Sequence, residues 1–155
     1  MKFLSVFIFL FISTVSFGQI RLYMGASTTN TEIAYTIKDN RVYSGDGRFS
    51  TTVVYRLENN KVYQGNSTMT FDCLYTIDGN KVYRGSSTFS SDIIYTIENG
   101  KVYRGNTTFS TDCVLTIEEN KIYMGDSNFS SDCIITIEGE NILSNAFLAC
   151  IVGPY

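Results

Sequence analysis

The stretch "TIENGKVY", residues 96–103, reads as two short alternating strands hinged at Asn99-Gly100. Asn-Gly between β-rich runs is the strongest short-range signal for a two-residue hairpin, whose central residues both need positive φ. The register that follows sets Glu98 opposite Lys101, Ile97 opposite Val102 and Thr96 opposite Tyr103. One face then carries Ile93, Tyr95, Ile97 and Val102 and is predicted to be core. The other carries Ile94, Thr96, Glu98, Lys101 and Tyr103 and is predicted to be at least partly solvated.

The same sentence recurs along the chain. Glycines at 25, 45, 65, 85, 105 and 125 stand 20 residues apart, each two residues after a Tyr. The turn pairs equivalent to Asn99-Gly100 are Asp39-Asn40, Asn59-Asn60, Gly79-Asn80 and Glu119-Asn120. Asn, Asp and Gly tolerate the left-handed region at low cost, and Glu119 fits it less well. Val, Ile, Thr and Tyr dominate the intervening runs, which rules against helix. The predicted fold is therefore all-β, a tandem array of 20-residue hairpins in a solenoid-like or closed arrangement. The alternative is a β-helix with one coil per repeat. Direct stacking would align Glu58, Asp78, Glu98, Glu118 and Glu138 in one column and Arg41, Lys61, Lys81, Lys101 and Lys121 in another. At a strand spacing of about 4.8 Å each like-charge neighbour costs about 0.9 kcal/mol even in water. Hairpin pairing makes the same residues attractive neighbours, and so is preferred.

Between hairpins runs a Ser/Thr-rich linker such as "GNTTFSTD", residues 105–112, around a central Phe49, Met69, Phe89, Phe109 or Phe129. An acid closes it at Glu32, Asp72, Asp92, Asp112 and Asp132, where Asp is expected to bond nearby backbone N–H groups. One carboxylate per repeat is sparse for Ca²⁺, so no metal or cofactor is expected. The linkers also carry glycosylation acceptor patterns at Asn66, Asn106 and Asn128, in a composition that turns use anyway.

The ends differ from the array. Residues 1–18 have one Lys, an apolar run from Phe3 to Ile12, and small residues at Ser16 and Gly18. This is the layout of a secretory signal peptide, and the run is short for a membrane span. The expected organisation is thus a leader at 1–18, a six-unit β-repeat domain at 19–140 and an apolar cap at 141–155. "SNAFLACIV" within the last segment reads as strand or helix. Export to the periplasm, cell surface or medium follows, with no membrane span after cleavage.

Composition narrows the chemistry. With 12 basic and 15 acidic residues interspersed, the chain is mildly acidic, and nucleic acid is not an expected partner. It has no His and no Trp, which excludes imidazole acid–base catalysis, Ser-His-Asp triads and His-ligated metals. Paired acids of the glycosidase kind would need one pair set apart from the rest, and here every acid is one of a series. Cys73, Cys113 and Cys133 share a repeat position held elsewhere by Ile33, Val53 and Ile93, and so read as small buried hydrophobes. If a disulfide forms, Cys113–Cys133 is the expected pair. The Tyr series offers the best candidate ligand residues, Tyr63, Tyr83, Tyr103 and Tyr123, because rows of half-exposed aromatics bind extended polymers. Cross-strand packing against Thr is the competing role.

The phrases "VYRGNTTFS" (102–110) and "LYTIDGNKVYRG" (74–85) resemble a class of bacterial secreted tandem-repeat proteins built on 20-residue β-units. The resemblance covers about residues 21 to 140 and implies a repeat-built β fold, bringing no activity with it. Choline-binding cell-wall modules also use 20-residue hairpins, but their cages are Trp. Curli-type fibre subunits depend on Gln/Asn ladders, whereas Gln occurs here only at 19 and 64. The expected function is a non-enzymatic binding module for a polysaccharide or a surface protein. Self-association into a matrix or fibre is the alternative.

Overall fold

In a computed structural model the chain is described over residues 18–29, 33–47, 53–140 and 143–153. The leader expected at residues 1–18 falls outside these apart from Gly18, as do Glu32 and Phe49. The order of strands is β1 (Ile20–Met24), β2 (Ile33–Lys38), β3 (Arg41–Ser44), β4 (Val53–Glu58), β5 (Lys61–Gln64) and β6 (Cys73–Asp78). There follow β7 (Lys81–Arg84), β8 (Ile93–Glu98), β9 (Lys101–Arg104), β10 (Cys113–Glu118), β11 (Lys121–Met124) and β12 (Cys133–Glu138). One helix, α1 (Asn145–Val152), comes last.

Each long strand pairs with the short strand after it, in the expected register. Glu98 faces Lys101, Ile97 faces Val102 and Thr96 faces Tyr103. Both turn residues are left-handed in Asp39-Asn40, Asn59-Asn60 and Asn99-Gly100, and Glu119 is forced there too, at φ 52°. The hairpins then pair side by side into a closed antiparallel barrel, β1 lying between β12 and β2. The closed form of the hairpin array is thus the one adopted, and the single-coil β-helix is not.

Closure is made by a split hairpin. β1 takes the place that a short strand would hold after β12, with Arg21 opposite Glu138, Leu22 opposite Ile137 and Tyr23 opposite Thr136. These pairs match those of β8 and β9 position for position. The barrel's strand order thus opens with the second half of its sixth hairpin and closes with the first half. Where the other hairpins turn, Gly139 sits at φ +106°, and a Cβ there would lie 2.6 Å from the Gln19 carbonyl oxygen.

A β-bulge at every hairpin junction alters the predicted faces. Tyr83 faces Ile93, but the preceding Val82 faces Tyr95, so Ile94 is extra. Such a bulge transfers the residue before it to the opposite side of the sheet. Ile93 therefore joins Tyr83 on the outer face, a correction to its predicted place beside Tyr95, while Ile94 packs against the core cluster. The bulge carbonyl is satisfied by the repeat glycine, as in Gly105 N–H to Ile94 O at 2.7 Å. The repeat glycines hold φ of +59° to +74°, a region open mainly to Gly.

Inside the barrel, Leu22, Val42, Val62, Val82, Val102 and Ile122 have no exposed surface. Eight strands leave room only for side chains, and diameter grows with strand number, so twelve leave a lumen to be filled. α1 fills it. Ala146, Leu148, Ala149, Cys150 and Ile151 are all at most 5% exposed, and they point around the whole helix circumference. A helix apolar on every side needs walls on every side. The expected cap is therefore a central plug. Ser144 caps it by accepting the Phe147 N–H at 3.3 Å, and it ends at Gly153 beside the Tyr95 hydroxyl. Burial pushes the Cys150 thiol up to about 12, so this cysteine is inert as a nucleophile.

All four cysteines are free thiols, and Cys73 and Cys133 are buried. The Cys113–Cys133 bridge is not made. β11 lies between β10 and β12, which sets equivalent residues about 9.5 Å apart, beyond the roughly 7 Å limit for a disulfide.

Two substitutions test this architecture. Gly139→Ala meets both a left-handed backbone and the Gln19 carbonyl, and urea denaturation should show a loss of more than about 2 kcal/mol. Glu119→Asn relieves the strained turn and should raise stability by about 0.5–1 kcal/mol in the same assay.

Candidate functional site

The outer face of the barrel is the inner wall of a second layer. Among the described residues the linkers fold back over the hairpins. Where the chain leaves β3, a Cβ on Gly47 would lie 3.0 Å from Thr36 Cβ and 3.2 Å from Tyr43 Cβ. Farther round, Asp126, Ser127 and Asn128 share a cleft with Lys101, Thr116 and Glu118. The face predicted to be partly solvated is covered for this reason. Thr36, Thr76, Thr96 and Thr136 are 7% exposed or less, and Tyr63, Tyr83, Tyr103 and Tyr123 are 8% exposed. Each Thr hydroxyl is satisfied by the repeat glycine of its own hairpin, for example Thr96 Oγ1 donating to Gly105 O at 2.8 Å. The split hairpin repeats the bond, Thr136 to Gly25 O at 2.8 Å.

Linkers are also tied to neighbouring hairpins. Arg41 Nε donates to Asn66 Oδ1 at 2.7 Å, Lys81 to Asn106, and Lys101 Nζ pairs with Asp126 at 2.5 Å. The hydrogen bond from Lys101 to Asp126 raises the pKa of this lysine. Lys101 thus spends its charge on the next linker, although Glu98 is its register partner.

What the linkers hold outward is aromatic. In residues 85–92, Ser87 Oγ accepts the Phe89 N–H at 3.1 Å and donates to the Asp92 carboxylate, while the Asp92 N–H bonds Phe89 O at 2.9 Å. Both backbone groups of Phe89 are pinned, and its ring is 75% exposed. Thr107 and Ser127 accept from Phe109 and Phe129 in the same way, at 3.1 and 3.2 Å. Those rings are 74% and 71% exposed. In the preceding linker Met69 takes the pinned position and Phe71, 81% exposed, stands beside it. Asp72, Asp92 and Asp132 therefore act through a Ser hydroxyl five residues back, and not through the Asx turn expected of them. Among the described residues no cluster of three or more Cys, Asp or Glu is arranged to hold a metal ion.

The candidate residues named from sequence are thus the inner members of this layer, and the presented aromatics are Phe71, Phe89, Phe109 and Phe129. A signal for Phe89, Phe109 and Phe129 exists in the pattern of Ser/Thr two residues before, and Asp three residues after, the central aromatic. Among the Tyr series Tyr23 stands apart. It belongs to the split hairpin, and its hydroxyl donates to Glu138 Oε2 at 2.6 Å, with Arg21 Nη1 3.5 Å from the same oxygen. The hydrogen bond raises the Tyr23 pKa above its ordinary 10.0, and the same bond, with Arg21 adding to it, holds Glu138 below its ordinary 4.5.

A closed β-barrel of six hairpins around a central helix, jacketed by its own linkers, defines the class of protein. A family model described as "6-fold beta flower protein" matches residues 22–151, and the chain belongs to that family. The match starts within β1 and ends within α1, so the split hairpin and the plug are both part of the family unit. No curated protein and no solved structure matches the chain. Among the described residues no helix is long and apolar enough to cross a membrane.

The Tyr23–Glu138 bond predicts a pH response at the seam. Glu138, with its folded pKa depressed, stabilises above the ordinary carboxylate range, and that contribution is lost as pH falls through the folded value. Tyr23, with its folded pKa raised, stabilises below about pH 10, and that contribution is lost as pH rises further. Thermal melts from pH 3 to 7 should show a shallower acid limb for Glu138→Gln than for the wild type. Superimposable limbs would remove the seam from the pH response.

Proposed function

We propose that this is a non-enzymatic, exported binding protein that attaches to polysaccharide through the girdle of linker phenylalanines. The observation that carries this reading is the pinned backbone beneath each exposed ring. Single exposed apolar residues are ordinary on protein surfaces. Here the same ring is held at equivalent positions of successive linkers by the same pair of side-chain and backbone bonds. Preorganised aromatics stack on sugar rings with little ordering cost on binding. Neighbouring rings are two strand spacings apart at the wall, about 9.5 Å, and farther apart outward. A polymer bearing many equivalent sites would engage several at once, raising overall affinity without stronger single contacts. Export is supported by the leader-like residues 1–18.

The absence of any enzymatic step is supported by the acids. Asp72, Asp92 and Asp132 recur in equivalent surroundings, each taken up by a Ser hydroxyl. Closure weighs against edge-to-edge polymerisation, since a barrel offers no free strand edge to a second copy.

Co-sedimentation with insoluble polysaccharides and cell walls, beside a no-polymer control, tests the proposal. The wild type should pellet with polymer only. The variant Phe89→Ser/Phe109→Ser/Phe129→Ser should stay in solution with its melting temperature unchanged. Each ring removed is worth about 2 kcal/mol, roughly thirty-fold in affinity where it is engaged. Binding that survives in this variant, or pelleting in the control, would overturn the girdle as the polysaccharide site.

A further inference from the structure

We propose a second site at the linker-end mouth of the barrel, which binds the carboxylate of an acidic sugar between Arg84 and Arg104. It uses a different surface from the phenylalanine girdle and does not depend on it. The mouth holds a cleft of about 380 Å³ lined by Tyr75, Arg84, Ile93, Ile94, Tyr95 and Arg104. That is within the size range of small-ligand pockets, about 300–1,000 Å³. The two arginines end adjacent hairpins, Arg84 opposite Tyr75 and Arg104 opposite Tyr95. Their Cα atoms are about two strand spacings, or 9.5 Å, apart, close enough for both side chains to reach one small anion.

At the position before the repeat glycine, only these two repeats carry a charge. The equivalent positions around the mouth hold Met24, Ser44, Gln64 and Met124. Among the described residues neither guanidinium has a carboxylate within 4.0 Å. The acid that precedes Ile93, Asp92, is engaged by Ser87 on the linker side. α1 ends at the same mouth, beside Tyr95, and its negative pole offsets about half a charge. Among the described residues of the cleft, the two guanidinium groups are the only charged side chains. Arg is the side chain suited to bidentate carboxylate recognition. Tyr75 and Tyr95 add half-buried ring surface, and the Ile pair adds apolar wall, which together suit a pyranose ring better than an extended peptide.

Calorimetry on the full chain at low salt tests this, with trigalacturonate as the probe. Its methyl ester supplies the same rings without charge, and triglutamate supplies the charge without rings. Trigalacturonate should bind at least about tenfold more tightly than either. Arg84→Gln/Arg104→Gln should weaken it about a hundredfold without moving the melting temperature. The triple phenylalanine variant should bind it as the wild type does. No binding by the wild type, equal affinity for acid and ester, triglutamate binding as tightly, or an unaffected double arginine variant would each overturn the proposal. Loss of binding in the phenylalanine variant would move the site to the girdle and overturn it as well.

Discussion

A ring of hairpins satisfies its backbone only when the first strand meets the last, and here the two meet as halves of one hairpin. The β1–β12 pairing repeats the register of an ordinary repeat without the covalent turn. Everything else depends on that meeting. Without it two strand edges would lie open, and the lumen that shelters α1 would lose its wall. The Tyr23–Glu138–Arg21 contacts stand where a turn would otherwise tie the strands together.

The second constraint is the bulge at each junction. It divides the apolar residues of a repeat between two compartments. Tyr95, Ile97 and Val102 face the lumen with α1, whereas Ile93 and Tyr103 lie under the linkers. The outer compartment is small and closed by Ser/Thr-rich backbone, which is why a Thr hydroxyl is useful there. It meets the carbonyl of the glycine that starts the linker. One repeat departs from this. Arg56 replaces the Thr, and its guanidinium turns to Glu58 at 3.1 Å. The barrel tolerates the change because its neighbours keep their own bonds.

The proposed function rests on what the two compartments leave outside. With Tyr used to seat the linkers, Phe89, Phe109 and Phe129 are left to face water, their backbone N–H groups held by Ser87, Thr107 and Ser127. The arginine-bearing rim has a different origin. It arises where the sequence varies between repeats, so a six-fold scaffold acquires one charged sector. Repetition sets equivalent aromatics on the flank, and departure from repetition sets two arginines together at the mouth.

Within-repeat structure was legible from the chain alone. Hairpin register, turn positions and the choice of hairpins over stacked coils follow from spacings of two to eight residues, where Asn, Gly and alternating side chains act locally. The presented phenylalanines lay in the same short patterns but were masked by a composition common to all turns. Three features were decided only by the tertiary structure. Closure depends on how the hairpins curve together, which no single repeat encodes. The place of "NAFLAC", within α1, depends on the lumen that closure creates, since an apolar segment takes whatever walls it is offered. The burial of Tyr63, Tyr83, Tyr103 and Tyr123 depends on a linker folding back across its own hairpin. A one-residue bulge, invisible in the strand pattern, was enough to move Ile93 from one side of the sheet to the other, because side chains alternate with a period of two.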